Sequence, residues 1–258
     1  MNKKLIIFIY LLLISVPTIL SVFICTGREK YIKNMSILYN YGPNADLEEV
    51  SNIENYIYED KVWENYKFFS GIEGDVDIPK VTNTHDVDDS SLFSKNECIS
   101  EIIEKPKKLN PLLIDKIEYV VNNANINDKS PFFKKRLIDK ITLTLEEISN
   151  LKLDVLINSE NITLDFSSIE PELVLSIILY ESGFNPYALV QERSIINENE
   201  FIYSRGLMQI YEITLWTLNN IIDSAIDCKY SAVDLWSIEN NIFLGYLYLS
   251  YIKETRLN

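Results

Sequence analysis

Residues 169–188 read IEPELVLSIILYESGFNPYA, and after a connection of about seventeen residues the chain continues as GLMQI at 206–210. Pro171 suits the first turn of a helix, where a missing N–H costs little, with Ser167 or Ser168 able to cap it. Leu173, Val174, Ile177 and Ile178 recur at helical spacing and mark one apolar face. Glu181 follows Ile178 by three residues and Ile177 by four, so it projects from that same face. Gly183 is a natural helix stop, and Asn185-Pro186 turns the chain. A carboxyl group placed there is desolvated and feels the negative end of the helix dipole. Both effects favour its protonated form, which is what a general acid requires. The same spacing also fits a surface glutamate on a slightly rotated helix, and spacing alone does not separate the two.

The rest of the composition narrows the chemistry. A chain of 258 residues holds one large or two small domains, and its net charge of −14 argues against nucleic acid as a partner, because phosphate binding needs a basic face. Seven glycines and no glycine-rich phosphate motif argue against a nucleotide loop. The single histidine, His85, excludes two-histidine metal sites such as HExxH and is the one imidazole for any Ser–His or Cys–His pair. Its Thr- and Asp-rich surroundings read as a solvated loop. No metal or cofactor is expected.

Residues 1–30 read as a targeting segment outside the fold. Lys3 and Lys4 precede an apolar run from Leu5 to Cys25, longer than an ordinary signal-peptide core and about the length that spans a bilayer. An uncleaved anchor with a cytoplasmic N-terminus is the expectation; a cleaved signal peptide and a lipoprotein are the alternatives. Residues 31–109 read as an acidic spacer, or a small region without a clear pattern, with a short helix near 47–58. Seven aspartates and seven glutamates against four lysines fall between Tyr41 and Ser100. Cys98 and Cys228 are expected as unpaired thiols, since nothing in the sequence brings them together. Residues 110–156 read as helical: Asn110-Pro111 and Ser130-Pro131 each open a helix with apolar residues at helical spacing.

Three blocks carry a resemblance: ESGFNPYA at 181–188, GLMQI at 206–210 and NIFLGYLYL at 241–249. In this order they resemble the E-S-x-F-N-P-x-A, G-L-M-Q-I and N-I-x-x-G-x-x-Y-L blocks of the lytic transglycosylase (SLT) domain, related to goose-type lysozyme. The motif-bearing part is 165–250, within a domain expected to span 110–258. The resemblance implies a mostly α-helical, lysozyme-like fold and cleavage of the β-1,4 bond between N-acetylmuramic acid and N-acetylglucosamine in peptidoglycan. Glu181 would be the acid and base, and an anhydro ring would close without water. Ser182, Met208, Gln209 and Tyr211 would contact the glycan, and Gly206 would let the backbone approach it. The expected setting is the outer face of the cytoplasmic membrane, anchored through residues 5–25.

Two departures qualify that expectation. Where the family usually reads M-P-x-T after GLMQI, this chain has Tyr211-Glu212-Ile213-Thr214. More seriously, the family's A-Y-N-x-G block, whose tyrosine reaches the active site, follows the Y-L segment, and here the sequence runs only to Asn258. Either another part of the chain completes the cleft, or the domain is impaired and acts as a peptidoglycan-binding scaffold. A water-using muramidase on the same fold would need a second carboxylate, for which Glu192, Glu198 and Glu200 in the connecting loop are candidates.

Overall fold

The computed structural model describes residues 26–51, 57–81, 83–100, 102–103, 106–126, 129–193 and 201–257. Helix α1 covers 26–41, and α2 (Leu47–Ser51), α3 (Tyr58–Phe69) and the short α4 (Asp89–Leu92) follow. Next come α5 (Pro111–Asn123), α6 (Pro131–Ile148), strands β1 (Lys152–Ile157) and β2 (Glu160–Asp165), and α7 (Pro171–Ser182). Strands β3 (Leu189–Arg193), β4 (Phe201–Arg205) and β5 (Ile210–Tyr211) precede α8 (Glu212–Ile222) and α9 (Ile238–Ile252). The protein is mostly α, with an antiparallel hairpin β1–β2 and a three-stranded antiparallel sheet ordered β3–β4–β5.

The helix starts follow their capping residues. Asn110 accepts from the Leu112 N–H and Ser130 from the Phe133 N–H, each followed by proline at the helix start. At α7, however, the N-cap is Glu170; Asp165 instead caps the short 3₁₀ turn at 166–168 that carries Ser167 and Ser168. The helical reading of 110–156 ends early, because Lys152–Ile157 is a strand. Leu153, Val155 and Ile157 point inward at every second position, and Asn158-Ser159, both at positive φ, close the two-residue turn. The connection at 189–205, expected as a loop, is largely the β3–β4 pair.

One hydrophobic core runs from Ile32 to Ile252, and it overturns the spacer reading of 31–109. In α1, Ile32, Met35 and Leu38 are all but fully buried. In α3, Val62, Tyr66, Phe68 and Phe69 are buried too. Helix α3 lies along α7 from end to end: Tyr66 donates to Glu170 at its start, Asn65 Nδ2 to the Ser176 carbonyl at 3.2 Å, and Tyr58 to Glu181 at its finish. The acidic residues that suggested a spacer largely decorate the solvent side of these elements.

Residues 75–81 and 83–88 then strap the end of α7. A Cβ on Gly183 would fall 2.7 Å from the Pro79 carbonyl oxygen, and Leu189 N–H donates to the Asn83 carbonyl. Cys98 and Cys228 form a disulfide with Cα atoms 5.9 Å apart, correcting the expectation of free thiols. Asn96 sets that corner: its Oδ1 accepts from Cys98 N–H, Ile99 N–H and the Tyr230 hydroxyl.

The apolar run expected to cross the membrane, 5–25, lies outside the described residues. Among the described residues no helix is long and apolar enough to span a bilayer. Residues 26–30, assigned with that run to a segment outside the fold, instead form the first turns of α1, and Arg28 pairs with Glu170 at 2.6 Å.

Candidate active site

Helix α7 is apolar nearly all round, and Leu173 to Leu179 are buried. That burial fixes the helix and leaves its last turn as the place where a polar side chain meets open space. Glu181 is half-buried there. Gly183, at φ 56°, ends the helix in the left-handed conformation and turns the chain into Phe184-Asn185-Pro186. Asn185 Oδ1 holds that turn by accepting from the Tyr187 N–H at 3.0 Å.

Tyrosines gather around the carboxyl group. The Tyr58 hydroxyl donates to Glu181 Oε1 at 2.5 Å, and its ring meets Tyr180 edge-on with centroids 4.5 Å apart. Tyr39 is buried, donates to the Met208 carbonyl at 2.7 Å, and lies 5.5 Å, centroid to centroid, from Tyr248 of α9. Burial, and secondarily the negative charge of Glu181, pushes the Tyr39 and Tyr180 phenols above their ordinary value. Tyr248 is raised in the same direction, chiefly by burial. These phenols keep their protons at neutral pH, and Tyr39 acts as a hydrogen-bond donor. Beside Tyr180 opens a cavity of about 480 Å³, whose polar lining includes Lys61, Glu64, Asp75 and Asp77.

The GLMQI segment serves a different purpose from the one expected. Gly206 adopts φ 76°, and a Cβ there would fall 2.7 Å from the Leu235 carbonyl oxygen and collide with Asn241; the absent side chain admits α9, not a ligand. Asn241 then staples the segment: its Oδ1 accepts from the Met208 N–H at 2.7 Å, while Nδ2 donates to the carbonyls of Arg205 and Leu235 at 2.8 and 3.0 Å. The Met208 side chain fills the space over Gly245, where any Cβ would overlap its sulfur. Close packing is thus the reason for a glycine inside α9, at the cost of helix propensity.

Three of the four expected glycan contacts are corrected accordingly. Ser182 is fully buried, and its Oγ donates back to the Ile178 carbonyl at 3.0 Å. Met208 is fully buried. Gln209 Oε1 accepts from Ser204 Oγ at 2.9 Å, and its Nε2 donates to the carbonyls of Ala188 and Gly206, so the amide is committed to the fold. Tyr211 is different: it stays half-exposed where β5 runs into α8. Among the loop carboxylates, Glu198 and Glu200 lie outside the described residues, and Glu192 falls in strand β3.

His85 is exposed and stacks on Trp236, with ring centroids 5.6 Å apart. Among the described residues no group of three or more His, Cys, Asp or Glu is placed to hold a metal ion.

Tyr39 and Tyr58 are the site residues that sequence reasoning passed over. The signal for the first is present: Tyr39-Asn40-Tyr41-Gly42 has the Y-N-x-G spacing of the A-Y-N-x-G block. It lay hidden because it sits before the other blocks, in a stretch dominated by acidic charge. Tyr58 has no comparable signal, since its role depends on how α3 lies against α7.

Residues 161–257 match the transglycosylase SLT domain family, the one that the three blocks resemble. No curated protein and no solved structure matches the chain. The family match supports a peptidoglycan-directed, transglycosylase-like function at the level of the family.

Proposed function

We propose that this protein is a peptidoglycan lytic transglycosylase with Glu181 as its general acid and base. The observation that carries the reading is the hydrogen bond from Tyr58 to Glu181, made inside a segment that matches the SLT family. A half-buried carboxyl group held by a phenol at the end of a rigid helix has one oriented position, which proton transfer to a bound sugar demands.

In the proposed reaction the protonated Glu181 gives its proton to the glycosidic oxygen as the bond from muramoyl C1 to that oxygen breaks. The N-acetylglucosamine side leaves with a free hydroxyl, and C1 carries oxocarbenium-like charge. The Glu181 carboxylate then takes the proton from the muramoyl C6 hydroxyl, whose oxygen bonds to C1 and closes the 1,6-anhydro ring. Glu181 ends protonated, and no water is consumed. Tyr58 holds the carboxyl group between the two transfers. Tyr211 offers a ring for stacking on the sugar, and the cavity beside Tyr180 receives part of the strand on that side.

The proposed location is outside the cytoplasmic membrane, with residues 5–25 as anchor. The Cys98–Cys228 disulfide supports an oxidising compartment.

Digestion of peptidoglycan by residues 26–258, beside Glu181→Gln and followed by mass spectrometry, tests the reading. Anhydro-muropeptides from the native sequence and none from the variant are expected. Reducing ends would transfer the case to a muramidase. Glycan binding without products from either protein would identify a non-catalytic binding module.

A further inference from the structure

We infer that the transglycosylase domain of this chain is circularly permuted: the segment 26–71 is the closing part of the domain, carried ahead of the three blocks. The inference goes beyond the proposed activity and does not depend on it.

Three sets of contacts lead there. The first concerns the last described turn of the chain, which lies against the front segment. Arg28 near the start pairs with Glu170, and Lys253 near the finish donates to the neighbouring Ser168 carbonyl at 3.1 Å. Tyr31 is raised to about 12 chiefly by burial, with the charges of Glu170 and Glu254 acting on it from both sides. Arg256 donates to Asn44 Oδ1 at 3.2 Å. Thus the turn at Lys253–Leu257 shares the Ser168–Glu170 corner with the first turns of α1 and reaches Asn44 beyond its end.

The second set concerns the site. The segment matching the family supplies Glu181, the GLMQI loop and α9, yet Tyr58, which donates to Glu181, and Tyr39, which donates to the Met208 carbonyl, both come from 26–71. Without that segment the carboxyl group loses its Tyr58 partner, and the buried face of α7 that α3 covers is open to water.

The third set concerns order. Tyr39-Asn40-Tyr41-Gly42 has the spacing of the A-Y-N-x-G block, and it packs against α9: Tyr39 on Tyr248 by their rings, and Gly42 with its Cα side toward the Tyr248 hydroxyl. Gly42 is at φ 91°, so the last residue of the Y-N-x-G spacing also meets a backbone need for glycine. A segment that merely happened to cover the domain would not need the spacing.

The test is to restore the other order. A chain running 74–257, then a flexible linker of about nine residues, then 26–71, joins the last turn to α1; such a linker has a reach of roughly 15–18 Å. The cut falls in the exposed turn after α3, where residues 71–74 all face solvent. The rewired chain is expected to unfold in one transition within about 5 °C of the native order, and to keep whatever peptidoglycan cleavage the native order has. A second measurement uses the native order: Asn44→Cys with Arg256→Cys, in a background of Cys25→Ser, treated with a short bismaleimide. Cross-linking of the folded protein, lost in denaturant, is expected. An unfolded rewired chain together with absent cross-linking would overturn the permutation. Absent cleavage by both orders, with fold and cross-link intact, would overturn the enzymatic reading and leave the permutation standing.

Discussion

Residues 161–257 and residues 26–71 contribute to one core and one site, but in opposite ways. The first segment is rich in recognisable blocks, and most of the residues that make it recognisable serve the backbone. Ser182 bonds to its own helix, Gln209 to two carbonyls and a serine, Asn241 to three backbone groups, and Gly206 and Gly245 make room for neighbours. The second segment reads as acidic and patternless, yet Tyr58 reaches the carboxyl group at the centre of the site. A sequence block therefore marks a demanding backbone path, and only Glu181 within the first block is both part of the signature and part of the proposed chemistry.

The largest effect expected is on activity. Glu181→Gln should lower the rate of peptidoglycan cleavage by about 10²–10⁴-fold, the usual contribution of a general acid–base group, with the thermal unfolding profile retained. A variant of near-native rate would place the chemistry elsewhere.

Next comes the stapling asparagine. Asn241→Ala removes the acceptor of the Met208 N–H and one donor from each of two carbonyls in a buried place, and should cost about 2–4 kcal/mol in urea unfolding. If it changed substrate affinity and left stability alone, the division between structural blocks and a site-facing segment would fail.

Opening the disulfide should cost about 2–4 kcal/mol, because it closes a loop of 130 residues between the corner set by Asn96 and the connection after α8. Unfolding with and without reductant, and in Cys228→Ser, measures this; the reductant should have no effect on the variant.

The smallest effect is a pH dependence. Asp89 accepts from the Tyr187 hydroxyl, which together with Lys129 holds its carboxyl below the ordinary 3.8 against the opposing effect of burial. A depressed folded pKa contributes stability above the ordinary value, lost as pH falls through the folded one. Asp89→Asn should flatten the decline in stability on the acid side of about pH 4, and an unchanged slope would remove Asp89 from the account.

The helices with strong caps were legible from sequence. Asn110-Pro111 and Ser130-Pro131 carry their own start signals, and Pro171 with Gly183 brackets the helix that bears Glu181. Strand β1 was readable in principle, since Lys152–Ile157 alternates outward and inward, but it follows a long helix and its short run was absorbed into it. Helix α1 has its stripe at Ile32, Met35 and Tyr39, broken up by lysine, asparagine and serine that lie between them. The pairing of Cys98 with Cys228 and the stapling by Asn241 depend on distances between parts far apart in the chain. No local pattern encodes those distances.

The central claim is that the front of the chain completes the site around Glu181, and Tyr58→Phe tests it most directly. The substitution keeps the ring against Tyr180 and removes only the hydroxyl that donates to Glu181. The pH dependence of kcat is the quantity to measure, beside the melting temperature. The account predicts a fall in kcat of about tenfold or more, with the profile moved toward higher pH because a carboxylate that loses a donor holds its proton more tightly. KM and folding should change little. An unaltered kcat and pH profile would contradict the account and reduce the front segment to a cover over the core.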